Sequence, residues 1–412
     1  MSAVEACCFA LLLLTPCALA GLALMNTGLS RSRNAAHAML GALCVVSVAA
    51  LAWFALGYSL LGHTGGASRI LVAGGRSWDW IGRERLLLRG VDFDAFPASL
   101  EIVFGLAATA MAAMIPLGSG GERWRLGASC ASSAITAGLT FPLFAHWAWG
   151  TGWLAGLGFV DSGGGAAIHA AGGMSALAVA WILGPRRGKY GREGAPAAFP
   201  GHHAVLLLLG CFLAWIGWLG FDCAGALLHA GMQPARAVQA AVNTTLSAAA
   251  AGLSAASVTR LRFRKTDASL TANGWTAGLV AASAGCASMR PSGAVLVGMV
   301  AGVLAIFAIE TLELRLFVDD PAGAIAVHGI AGIWGVMAVA LLGSGSWLAQ
   351  VAGVATVVGF VLPLTYGLNW TLDRFYRQRA PGEAERQGLD LHELGAGAYP
   401  DFVSHNDDTW LH

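Results

Sequence analysis

The chain has 412 residues, of which 56% are hydrophobic and only 11% charged, and its formal net charge is +1. That balance leaves no room for a soluble domain and describes a polytopic membrane protein, while the near-zero charge excludes a basic face for nucleic acid. Eight cysteines (Cys7, Cys8, Cys17, Cys44, Cys130, Cys211, Cys223, Cys286) lie singly or adjacent inside apolar runs, without C-x-x-C spacing or neighbouring histidines. They read as small hydrophobes rather than disulfide partners or zinc ligands.

A bilayer core of about 30 Å takes about 20 helical residues to cross. Apolar runs cut by charge or glycine breaks predict eleven spans, at about 5–28, 38–62, 95–117, 126–149, 162–184, 202–227, 238–258, 271–288, 294–313, 323–343 and 348–372. The first run, with FALLLLTPCALAG, resembles a signal-peptide core and cleavage site, but no positive segment precedes it and the apolar stretch continues to Met25. A retained first span is therefore expected.

Lysine and arginine set the orientation. Arg31 and Arg33, Arg123 and Arg125, Arg186 to Arg192, Arg260 to Lys265 and the tail after Arg374 all fall on one side. That side is predicted to be cytoplasmic, with the N-terminus outside and the C-terminus inside. The loop from His63 to Asp94 puts five arginines on the other side, and long loops escape the rule. The expected organisation is an all-α membrane domain over 1–372, followed by a cytoplasmic tail over 373–412. The membrane domain divides into repeats at about 5–184 and 202–343 and a final span at 348–372.

Two segments five spans apart share a pattern. In DSGGGAAIHAAGG (Asp161 to Gly173) and DPAGAIAVHGIAG (Asp320 to Gly332) an aspartate precedes a histidine by eight residues. Glycine follows each aspartate at the third position and each histidine at the fourth. Under the predicted topology the two copies run antiparallel, as in inverted-repeat transporters whose sites lie between the halves at the midplane. Eight helical residues rise about 12 Å, so His169 and His328 are expected within roughly 6 Å of one depth. About 800° of rotation leaves each acid some 80° from its own imidazole, which favours a helix-cap role for Asp161 and Asp320.

One buried histidine reads equally as a satisfied core residue. Two at matched positions point to a pathway, relay or ligand site, because ionisable groups at bilayer depth are costly. Burial disfavours imidazolium, so a neutral, hydrogen-bonded pair is expected, suited to a small solute that is neutral or exchanges protons. A bis-histidine haem protein is the rival from another class, although the flanking glycines and alanines predict an approach too close for porphyrin.

With these features the sequence resembles the ammonium transporter (Amt/Mep/Rh) superfamily, in its Amt branch. The resemblance also rests on GLSRSRN after the first span, GWLGFD (Gly217 to Asp222), NTT (Asn243 to Thr245), NGWTAGLVAASAGC (Asn273 to Cys286) and VDDPAGAIAVHG (Val318 to Gly329). In the tail it rests on AERQGLDLHELGAGAYPDF (Ala384 to Phe402). It implies ammonium transport rather than catalysis, without metal or cofactor, by a homotrimer in the cell membrane with one pore per subunit. Ammonium is recruited at an outer vestibule and deprotonated before passing twin histidines, which are His169 and His328 here. Trp149, in HWAWG, matches the vestibule tryptophan, with an interfacial anchor as its alternative. Phe221 matches one of two stacked gate phenylalanines, and Asp161 the aspartate that supports recruitment from behind. A PII-type regulator at the cytoplasmic mouth is a further implication.

Several positions depart from the family pattern. Aligned on Glu122 and Arg123, Ala108 stands where the second gate phenylalanine is expected and Gly105 where glutamine is common. Gly225 replaces a vestibule serine, and Asp222 replaces an asparagine, an acid that either substitutes for the lost acceptor or holds a cation too tightly. Leu394 replaces a tail histidine. These changes at recruitment and gating motivate a second function, an ammonium sensor of the same fold with slow or no conduction.

Overall fold

A computed structural model describes residues 1–191 and 195–399. Arg192 and the end of the tail, including Asp401 and Phe402, lie outside the described residues. Eight helical segments are long and apolar enough to cross a membrane: α1 (Ala3–Leu29), α2 (Ser32–Leu61), α3 (Ala98–Gly120), α4 (Leu126–Gly156), α5 (Gly165–Leu183), α6 (Ala204–His229), α9 (Pro291–Leu314) and α11 (Trp347–Phe375). Three further helices, α7 (Pro234–Phe263), α8 (Ala268–Ser283) and α10 (Ile325–Leu341), occupy the places expected for the seventh, eighth and tenth spans. α7 is less apolar because its buried stripe (Ala240, Asn243, Thr244, Ser247, Ala251, Ala255) mixes small and polar residues against α8 and α9. Small side chains let backbones approach where lipid removes the hydrophobic drive to pack.

Local signals place the helix starts. Pro234 and Pro291 open α7 and α9, where a missing N–H costs nothing. The Asp267 carboxylate accepts from Leu270 N at 2.8 Å, and the Ser346 hydroxyl from Ala349 N at 3.5 Å. α5 begins three residues later than its predicted span, because Asp161 to Gly164 form its entry turn. Gly164 (φ +77°) and Gly323 (φ +72°), at matched positions before the two histidines, adopt left-handed backbone that only glycine takes without strain.

The loop from His63 to Asp94 contains structure that apolar periodicity did not predict. β1 (Ser68–Ala73) and β2 (Arg76–Gly82) form an antiparallel ribbon. It is tied to the end of α4 by His146 Nε2 to Asp79 at 2.9 Å, Thr151 Oγ1 donating to Asp79 at 2.7 Å, and Trp147 Nε1 donating to the Trp80 carbonyl at 2.6 Å.

The face that carries the C-terminus is held by charge. Arg186 grips Asp319 through Nε and Nη2, each at 2.9 Å, and Arg123 donates to the Asp319 carbonyl at 2.8 Å. The tail docks through two carboxylates. Asp390 accepts from the Ala36 and His37 amides at 3.1 and 2.7 Å, and Glu393 accepts from Leu126 N and pairs with His37 Nε2, both at 2.9 Å. Each carboxylate sits at a helix N-terminus, where unpaired N–H groups and the helix dipole favour negative charge. All eight cysteines are free.

Candidate functional site: a histidine pair between two cavities

α5 and α10 meet at their glycines. A Cβ on Gly173 would lie 2.1 Å from Gly329 N, so any larger residue forces the two helices apart. At this spacing the His169 and His328 rings lie 5.3 Å apart with Nδ1 to Nδ1 at 3.3 Å, one nitrogen donating and the other accepting. His169 is fully buried and His328 nearly so. The opening turns of both helices, Gly165–Ala170 and Ile325–Ile330, are wound as π-helix, so the rotation expected for an ideal α-helix does not apply.

The two aspartates serve these turns. Asp161 accepts from Ala166 N and Ala167 N, both at 2.9 Å, and Asp320 from Ala324 N and Ile325 N at 3.0 and 2.8 Å. Neither carboxylate is bonded to its own histidine. Asp161 reaches Trp149 only through its backbone, whose carbonyl accepts the indole N–H at 2.8 Å.

Outside the histidines, Phe104 stacks on Phe221 with ring centres 4.4 Å apart and planes 16° apart. This corrects the expectation that Ala108 stands opposite Phe221 and leaves the pair half missing. Ala108 is buried one turn further along α3, and fixed counting back from Glu122 misplaced the register by that turn. The same shift moves Glu101, rather than Gly105, to the position where glutamine was expected. Gly105 instead admits the Trp53 ring, which a Cβ would meet at 2.9 Å.

Above the phenylalanines lies an outer cavity of about 40 Å³ whose lining includes Glu101, Phe104, Trp149 and His229. Asp222 is absent from it, which corrects its placement at the entrance. Its carboxylate is fully buried between α6, α7 and the Gly163 turn, accepting from Thr244 Oγ1 at 2.6 Å, with Oδ1 unpartnered among the described residues. Gly225 is imposed by space, since a Cβ there would lie 2.3 Å from the Ser162 carbonyl.

Below the pair, His328 lines a cavity of about 20 Å³ with Asn273 and Thr276. That cavity shares Asn26, Leu29 and Ala322 with another of about 40 Å³ reaching Glu122 and Trp124. An aromatic-lined cavity, a phenylalanine stack, an imidazole pair and further cavities thus follow one another across the helices.

Sequence reasoning gave no role to Trp218, Phe104 or His229. Trp218 is fully buried, stacks on His169 at 4.7 Å and 16°, and donates Nε1–H to Ser283 Oγ at 3.0 Å. Its signal was its position three residues before Phe221, on the same helical face. The Nδ1 to Nδ1 contact also removes the haem reading, since iron in a porphyrin plane does not fit between nitrogens 3.3 Å apart.

The profile of the Ammonium Transporter Family matches residues 4–399, nearly the whole chain. The chain belongs to the ammonium transporter family. This family member is 36% identical to the ammonium transporter Amt2 of Archaeoglobus fulgidus, over 93% of its own length and 85% of that protein. It is 31% identical to the ammonium transporter of Bacillus subtilis, over 96% of itself and 97% of that protein. Among solved structures it superposes on a protein described as a sensor Amt protein with a TM-score of 0.86 at 28% identity, covering 95% and 98% of the two chains. On Mep2 of Candida albicans the TM-score is 0.80 at 28% identity, covering 97% and 91%. Membership makes it a multi-pass membrane protein of a transport family whose substrate is ammonium.

Proposed function

We propose that this chain transports ammonium or ammonia by recruiting the cation at the outer cavity, separating it from its proton, and passing both along the imidazole pair. The observation that carries this reading is the direct contact of His169 with His328 between the phenylalanine stack and the inner cavities. A bare cation in so dry a passage would cost many kcal/mol, whereas neutral ammonia crosses far more cheaply. Trp149 offers a ring face to the cation, worth about 0.5–2 kcal/mol. Phe104 and Phe221 then exclude hydrated ions. Imidazoles in contact accept and return a proton without leaving their rotamers.

The reading takes the ribbon face as outside and the tail face as cytoplasmic, with two inverted five-helix repeats and a final helix over 1–372 and a tail from 373. It implies a homotrimer in the cell membrane, with a pore in each subunit and a PII-type regulator as partner at the tail face. Ammonium pulses on proteoliposomes with an internal pH indicator test it: wild type is expected to give saturable current with internal pH change. His169→Ala or His328→Ala should change conduction or selectivity while the protein still assembles, and wild-type profiles in both would remove the relay. Saturable binding without current would make the chain an ammonium sensor of the same fold.

A further inference from the structure

The outer cavity has an acceptor that the sequence did not announce. Gly225 leaves no space for a hydroxyl side chain, because the Ser162 carbonyl and the Phe104 ring, 2.3 and 3.1 Å from a Cβ there, fill the position. One turn on, His229 uses that same carbonyl: its Nδ1 lies 3.0 Å from Ser162 O. A carbonyl only accepts, so Nδ1 carries the proton and, in the neutral ring, Nε2 keeps its lone pair. Nε2 has no protein partner among the described residues, and the side chain is exposed at the cavity. The ring is clamped, lying 5.4 Å from Trp149 at 27° and 5.4 Å from Phe104 at 87°. Glu101, fixed by accepting from Thr64 N at 2.8 Å, lines the same cavity and supplies negative charge.

We propose that His229 Nε2 is the acceptor that orients ammonium against Trp149 in this chain, in place of the hydroxyl excluded at Gly225, with the Glu101 carboxylate attracting the cation. The assignment rests on the outer cavity being the recruitment site. An ammonium ion has four N–H donors and no lone pair, so a recruitment site needs an acceptor as well as a ring face. His229 provides that acceptor at the level of the Trp149 ring and directly above the Phe104–Phe221 stack.

The test uses the full chain, titrated calorimetrically with ammonium chloride and, in proteoliposomes, assayed for current against ammonium concentration. His229→Phe keeps an aromatic ring between Trp149 and Phe104 but removes the lone pair. It should raise the half-saturating ammonium concentration about tenfold, as expected for losing a hydrogen bond from a charged donor. Maximal current should fall much less than affinity. His229→Gln, which restores an acceptor, should recover most of the loss. A His229→Phe protein that binds ammonium as wild type does would overturn the assignment. Wild-type binding without current would sink transport alone, leaving His229 to be judged on the calorimetric shift. Neither binding nor current in wild type would overturn both.

Discussion

Phe104 and Ala108 are one helical turn apart, and that turn decides whether one ring or two lie beside the Trp149 cavity. Because Phe104 carries the stack on Phe221, Phe104→Ala should relax discrimination between ammonium and methylammonium and cost about 3–5 kcal/mol of stability. Ala108→Ser, behind the stack, should leave that selectivity unchanged; competition currents with the two ions separate these outcomes. Asp222 makes the complementary case. Its acid looked like a replacement for the missing serine, but its carboxylate is buried against Thr244 and does not line the cavity beside Trp149. Asp222→Asn should therefore keep the half-saturating ammonium concentration within about twofold, since a net hydrogen bond at the cation itself is worth more than that. A rise of an order of magnitude would return Asp222 to the entrance. The residue types were legible in the sequence; which face of α6 each one served was not, since Phe221 and Asp222 are adjacent and point apart.

At the scale of elements, the two histidine helices depend on glycine twice, for the left-handed entry turn and for the crossing. Gly173→Ala puts a methyl 2.1 Å from the Gly329 amide nitrogen. It should lower the thermal midpoint, by about 1–3 kcal/mol of overpacking, and abolish or sharply reduce current by parting the imidazoles. Normal current from a protein of normal midpoint would show that the helices can separate without breaking the pair. The matched glycines were visible in sequence because they repeat at fixed offsets from aspartate and histidine. Their π-helical turns were not, since i→i+5 winding has no residue signature of its own and follows from the capping acids and the packing around them. The outer ribbon escaped for a related reason: Asp79, Trp80 and their partners on α4 are joined only by tertiary contacts.

For the whole molecule, the face bearing the C-terminus is a charge-locked plate. Burial alone would raise the Asp319 carboxyl, but hydrogen bonds and charge from Arg186, then the charge of Arg123, hold it at about 2. A carboxyl depressed from about 3.9 contributes stability that is complete above that value and lost as pH falls from about 4 to about 2, here about 2 kcal/mol. Wild-type thermal midpoints should drop across that window, while Asp319→Asn should start lower and lose that part of the slope. An equal slope in the variant would assign the acid sensitivity elsewhere. Glu393, also depressed against its burial by His37 and the Leu126 amide, anchors the tail. Glu393→Gln should speed hydrogen exchange around Leu389 to Leu394 without changing the membrane core, and unchanged protection would mean that Asp390 holds the tail alone. The sequence by itself determined the membrane class, the placing of the helices and the doubled histidine segment, because hydropathy and glycine-acid-histidine spacing are local properties that a bilayer converts directly into spans. Only the tertiary structure decided which aromatic faces Phe221, which nitrogen of His229 is free and where Asp222 points, because those depend on the rotation and register of helices against partners far away in the chain.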